Sequence, residues 1–137
     1  MDSNEALFYA KVAKAGYPEF DANVPGYNYK DTVEVLELDA YGRVFENSQQ
    51  KQMIISFAGT DNFQVDTKDW LTRGEKQYTA LLNQITYWVN LAQQSGDTVV
   101  FTGHSLGGFI AQLCAEEFQA KAVVFDTAYV TEHGKLY

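Results

Sequence analysis

The 137-residue chain sets 10 Lys plus Arg against 18 Asp plus Glu, a formal net charge of −8. It offers no cationic footprint for a phosphate backbone, which excludes nucleic acid as a partner. With 46% hydrophobic residues, 20% charged residues and 2 Pro, the composition is that of a folded globular protein, and the length fits a single domain spanning residues 1–137. Met1-Asp2-Ser3-Asn4-Glu5 lacks the basic and apolar regions of a signal peptide, and no apolar run is long enough to span a bilayer. The expected address is cytoplasmic by default, or outside the cell by a route that needs no signal. The single cysteine, Cys114, cannot form an internal disulfide and falls on an apolar helical face, which predicts a packing role.

In chain order, Ser3 or Asn4 is placed to cap a helix that runs to about Ala15 and stops at Gly16. Residues 16–31 carry Pro18, Pro25, Gly26 and the aromatics Tyr17, Phe20, Tyr27 and Tyr29, which reads as an irregular connector with wall and anchor residues. Period-two alternation over Thr32–Leu38 predicts a strand, turned by Ala40-Tyr41-Gly42-Arg43 into a second strand near Val44-Phe45. Gln52–Ala58 is almost continuously apolar, as a strand buried on both faces requires. It ends at Gly59-Thr60-Asp61-Asn62. Phe63 to Gly74 reads as a polar surface loop. Glu75 to Gln94 then repeats apolar residues every three or four positions, a long helix that Gly96 terminates. A helix of that length between two buried strands marks a βαβ unit and hence a mainly parallel sheet. A further helix to about Gln119 and a short strand Lys121–Phe125, closed by Asp126-Thr127-Ala128, complete the pattern, and the tail 129–137 has none.

Between the last strand pair and its helix stands Val99-Val100-Phe101-Thr102-Gly103-His104-Ser105-Leu106-Gly107-Gly108. An apolar run, a G-x-S-x-G turn and a helical pattern follow one another there, which is the context a nucleophile elbow needs. The small residues let backbone approach a strained turn that lifts the Ser105 hydroxyl clear of the sheet. The amide of Leu106, at the helix start, is then aimed where an oxyanion would form.

Three separated segments, Ile54-Ile55-Ser56-Phe57-Ala58-Gly59-Thr60, Asp69-Trp70 and Thr102-Gly103-His104-Ser105-Leu106-Gly107-Gly108, together resemble the class 3 (fungal-type) lipases and related phospholipase A1-like serine hydrolases. The resemblance covers roughly residues 30 to 128 and implies an α/β-hydrolase-type, mainly parallel sheet flanked by helices and incomplete at the C-terminus. It implies a serine hydrolase of lipid acyl esters that needs no cofactor and no metal, meeting its substrate through apolar contacts at a membrane surface or lipid aggregate. Carried over residue by residue, Ser105 matches the nucleophile, while Thr60 and Leu106 match the two oxyanion-hole donors. Asp69-Trp70 match residues that fix the loop carrying that hole. Ala58 stands where the family has arginine, so the ion pair of that arginine is absent. The aromatics of 17–29 and Phe63 are candidates for an acyl pocket or for core packing.

A triad also needs an acid and a histidine after the serine. Asp126, 21 residues past Ser105, is either the triad acid, in a setting that resembles the pancreatic-lipase branch of the fold, or a polar strand-end residue. Only two histidines exist. His104 lies inside the elbow, where the resemblance implies a side chain held beneath the nucleophile, and His133 is the base candidate if the short tail folds back. A competing reading of the same shortage is a truncated, catalytically incomplete pseudohydrolase that serves as a binding or interaction module. A thioesterase or peptidase also remains open, because the elbow does not encode the leaving group.

Overall fold

The computed structural model describes residues 1–59 and 67–127. The first helix, α1 (Ser3–Ala15), begins one residue earlier than its sequence suggests. Asp2, with extended backbone, is the cap, and its carboxylate accepts the Glu5 amide at 2.7 Å. After a connector come β1 (Asn28–Val35), a single 3₁₀ turn (Leu36–Leu38) and β2 (Ala40–Asn47). The hairpin reverses at Asp39, which sits at φ 53°, rather than at 40–43. The residues expected to form the turn are instead paired, with Gly42 opposite both Val33 and Phe57. Neighbouring Val33 and Phe57 side chains fill the space a Cβ at Gly42 would need.

The next elements are β3 (Gln52–Phe57), α2 (Thr67–Ser95), β4 (Thr98–His104), α3 (Leu106–Phe118) and β5 (Lys121–Phe125). The described strands form one sheet in the order β1-β2-β3-β4-β5. Pairing is antiparallel through β1, β2 and β3, and parallel from β3 through β4 to β5. The sheet is therefore mixed: the hairpin supplies the antiparallel half, and the two helical crossovers supply the parallel half.

Alternation along the central strands sorts their side chains between two cores. Met53, Ile55, Phe57, Val99 and Phe101 face α2 and α3, meeting Leu81, Ile85, Val89, Ile110 and Cys114. Ile54, Val100 and Val123 face α1, meeting Tyr9, Val12 and Ala15. Burial pushes the Cys114 thiol well above its ordinary pKa, so it packs as a small neutral hydrophobe. Ser56, on the α1 side, donates to the Val12 carbonyl at 2.9 Å and fastens the last turn of α1 to β3.

Helix α2 starts at Thr67, eight residues before the Glu75 start that periodicity suggests. Gly74, the last residue of the loop that the sequence suggests, lies inside the helix. A Cβ there would stand 2.5 Å from Phe109 Cδ2 and 2.9 Å from Leu106 Cδ1, so the glycine lets α2 close on the start of α3. The other end follows expectation. Gly96 takes φ 75° and donates to the Gln93 carbonyl at 3.1 Å. Along its length α2 also seals the edge strand. Gln84 accepts the Glu34 amide at 3.0 Å and donates to the Glu34 carbonyl at 3.1 Å, while buried Gln77 donates to the Leu38 carbonyl at 2.9 Å. Backbone groups that would otherwise template further strands are thereby occupied.

Candidate active site

Strand β4 delivers Ser105 to the carboxyl end of the sheet in a conformation ordinary residues avoid, φ 57° and ψ −127°. Such backbone costs about 1–3 kcal/mol and persists only where its surroundings over-determine it. They do so here from three sides. The Ser105 amide donates to the Phe125 carbonyl at 3.0 Å, tying the turn to the end of β5. The Ser105 carbonyl accepts the Gly108 amide at 3.0 Å, which starts α3. A Cβ at Gly103 would lie 2.4 Å from the Gly107 carbonyl carbon, and one at Gly107 would lie 2.1 Å from the Phe57 carbonyl oxygen. Strand, turn and neighbouring strand thus touch backbone to backbone, which is the physical content of the G-x-S-x-G spacing.

Gly59, just past β3, faces the same turn. Its Cβ position is 2.7 Å from the His104 carbonyl oxygen, 3.2 Å from the Leu106 nitrogen and 2.9 Å from the Tyr17 hydroxyl. As the first residue of α3, Leu106 has an N–H without an intrahelical acceptor, at the positive end of the helix dipole. The structure therefore brings together the elbow, the Leu106 amide and the glycine that precedes Thr60. Thr60 itself, Phe63 and His133 lie outside the described residues. Trp70 packs on Phe109 at a centroid separation of 5.8 Å, which places the Asp69-Trp70 pair at the first turns of α2, beside α3.

The side chain of His104 is half-exposed and engaged at both ring nitrogens. Nδ1 lies 3.3 Å from the Tyr17 hydroxyl and Nε2 lies 3.5 Å from Asp126 Oδ2. Asp126, at φ 47° with its carboxylate largely exposed, is thus placed at the strand end and against the elbow histidine. Neither contact is legible in the sequence, since 87 residues separate Tyr17 from His104. A cavity of about 660 Å³ opens beside this group, lined among others by Lys14, Tyr17, Phe20, His104, Phe125 and Asp126. Of the aromatics proposed for an acyl pocket, Tyr17 and Phe20 line it, whereas Tyr27 packs against Phe8 and Tyr29 against Phe45.

The connector after α1 is held by Arg43 on β2, a residue that the sequence pattern assigns to a turn. Its buried guanidinium donates to the carbonyls of Ala15 at 3.0 Å, Phe20 at 2.6 Å and Pro18 at 3.4 Å, and its Nε donates to the Tyr41 hydroxyl at 3.0 Å. Among the described residues no group of three or more His, Cys, Asp or Glu side chains is placed to hold a metal ion, and no helix is long and apolar enough to cross a membrane.

A strand–elbow–helix turn on a mixed sheet of five described strands with helices on both faces is an α/β-hydrolase-type fold. The Tle-like phospholipase domain matches residues 10–133, and the chain belongs to that phospholipase-like family. It is 35% identical over 91 residues to an extracellular phospholipase A1 of Serratia liquefaciens, a match that covers 63% of this chain and 27% of that protein. In fold it is similar to the Rhizomucor miehei lipase of a propeptide complex, with TM-score 0.71 and 18% identity over 93% of this chain and 53% of that one. It is also similar to lipase II of Rhizopus niveus, with TM-score 0.65 and 21% identity over 90% of this chain and 60% of that one. The chain spans about half the length of these lipases and about a quarter of the phospholipase A1.

Proposed function

We propose that the protein hydrolyses acyl esters of lipids, with phospholipids as the substrate class, and that Ser105 is the nucleophile. The observation that carries this reading is the strained Ser105 backbone, φ 57° and ψ −127°, held at the junction of β4 and α3 within a phospholipase-like family domain. Strain of this kind at a strand-to-helix turn is what keeps a serine hydroxyl aimed at a substrate carbonyl. The Leu106 amide, together with that of Thr60, stabilises the oxyanion as the tetrahedral intermediate forms. The acyl-enzyme then releases fatty acid to water. Substrate is taken from a membrane surface or lipid aggregate, and the apolar part of the cavity beside Phe20 and Phe125 receives part of the lipid.

For proton transfer the assignment is His133 as general base, oriented by Asp126. Asp126 also faces His104, so in the described arrangement it serves the elbow until a second imidazole takes its free oxygen. The pairing of the only other histidine, His104, with Tyr17 and Asp126 supports the second reading, a chain that keeps the fold and binds acyl ligands without a base of its own. Fatty-acid release from diacyl phospholipid vesicles separates the two. Turnover that is lost in Ser105→Ala and in His133→Ala supports the full assignment. Turnover lost in Ser105→Ala alone removes His133 as the base, and vesicle binding without turnover favours the binding module.

A further inference from the structure

We infer that Tyr17 is a positioning residue for the Ser105 elbow, carried to it on a strap that Arg43 holds in place. Four observations converge. Gly16 lets the chain leave α1 in contact with β3, because a Cβ there would stand 2.3 Å from Ser56 Oγ. The next residues, 17–20, fold back under the grip of one buried guanidinium, which donates to the Ala15, Pro18 and Phe20 carbonyls. That loop sets the Tyr17 hydroxyl 3.3 Å from His104 Nδ1. The same oxygen stands 2.9 Å from the Cβ position of Gly59, which is itself 3.2 Å from the Leu106 nitrogen. One phenol therefore reaches the residue before the nucleophile and stands at the side-chain position that Gly59 leaves empty near the Leu106 amide.

Proton accounting fixes how the contact works. A carboxylate only accepts, so the tautomer that serves Asp126, whose Oδ2 lies 3.5 Å from Nε2, is the one with the hydrogen on Nε2. In the neutral imidazole Nδ1 is then bare and accepts from the Tyr17 hydroxyl. In that tautomer Tyr17, His104 and Asp126 line up as a directed chain that orients the ring of the residue adjoining Ser105. The gap between Gly59 and Leu106 is thereby held at constant width. The precise placement of an oxyanion donor depends on such support, since a misplacement of about 1 Å costs on the order of 100-fold in rate.

The inference rests on the ester-hydrolase reading, and the test separates the two. Parent protein, Tyr17→Phe, Arg43→Met, the double variant and the exposed control Tyr87→Phe are compared by ester hydrolysis, thermal melting and ¹⁵N spectra of His104. Tyr17→Phe keeps the ring and loses only the hydroxyl. It should lower kcat about tenfold with KM unchanged, leave the melting temperature near that of the parent, and release His104 from its Nε2–H tautomer. Arg43→Met should lower kcat through the same contact, so the double variant should fall little below the lower of the two singles. Tyr87→Phe should match the parent. Parent-like kcat and His104 spectra in Tyr17→Phe would overturn the inference alone, as would a fall in melting temperature with the tautomer unchanged. Multiplicative losses in the double variant would overturn the Arg43 link. A parent protein that neither turns over ester nor takes up fluorophosphonate overturns the hydrolase reading and this inference together.

Discussion

Replacing Gly107 by alanine tests the backbone contact on which the elbow depends. The added methyl carbon would stand 2.1 Å from the Phe57 carbonyl oxygen, 2.8 Å from the Phe57 carbonyl carbon and 3.0 Å from the Ala58 carbonyl carbon. An ordinary carbon–oxygen contact is about 3.3 Å, so β3 and the start of α3 must part by roughly 1 Å. No side chain can yield, because all three atoms are backbone. Phe57 is fully buried and paired to both β2 and β4. The cost belongs at the upper end of the overpacking range, about 3 kcal/mol. For a chain of this length it lowers the melting temperature by roughly 10 °C. The displacement falls between Phe57-Ala58-Gly59 and Leu106, so fluorophosphonate uptake by the folded fraction should slow by about 100-fold. Gly96→Ala is the matching control. It sits at φ 75° with nothing within 4 Å of its Cβ position, so it should cost about 1 kcal/mol and leave uptake unchanged. A Gly107→Ala variant that melts and labels like the parent, or a Gly96→Ala variant that labels as slowly, would rule out the backbone clash.

Other outcomes follow from single contacts. Gln84→Ala removes both hydrogen bonds to Glu34; it should destabilise by about 1–2 kcal/mol and speed hydrogen exchange of the Glu34 amide relative to core amides. Phe101→Ala, at a fully buried ring stacked on Phe57, should cost about 3–5 kcal/mol in denaturant unfolding. Glu46 has its pKa raised, chiefly by a hydrogen bond with Asp97 and then by burial. The folded state then holds the proton more tightly than the unfolded state, so stability falls as pH rises from the ordinary carboxylate range through the raised value. Glu46→Gln should flatten that slope in a series of melts across acidic pH. Burial, aided by Tyr9, pushes Tyr27 up to about 12, and burial does the same to Tyr78. Their absorbance should ionise late, and stability should decline between pH 10 and 12 as the unfolded phenols lose protons first.

What the sequence disclosed was local. The continuous apolar runs of β3 and β4, the glycine spacing around Ser105 and the Gly96 terminus of α2 each announce their own backbone. What it hid was tertiary. Gly74 looks like a boundary until Phe109 is known to pack on it, and residues 28–31 at the start of the edge strand are exposed, so they carry no alternation. Tyr17 read as a wall aromatic because its partner lies in the elbow, and Arg43 read as a turn residue because the three carbonyls it grips lie at the end of α1 and in the patternless connector after it. The resemblance-based residues divide in the same way. The elbow and the Leu106 amide meet in space, Asp126 meets His104, and Thr60 and His133 lie outside the described residues.

The central claim is that Ser105 is a nucleophile, and the most direct measurement is mass-spectrometric location of a fluorophosphonate adduct on the parent protein. One stoichiometric adduct is expected on Ser105, absent from Ser105→Ala. Covalent uptake at another residue, or none by folded parent protein, would contradict it.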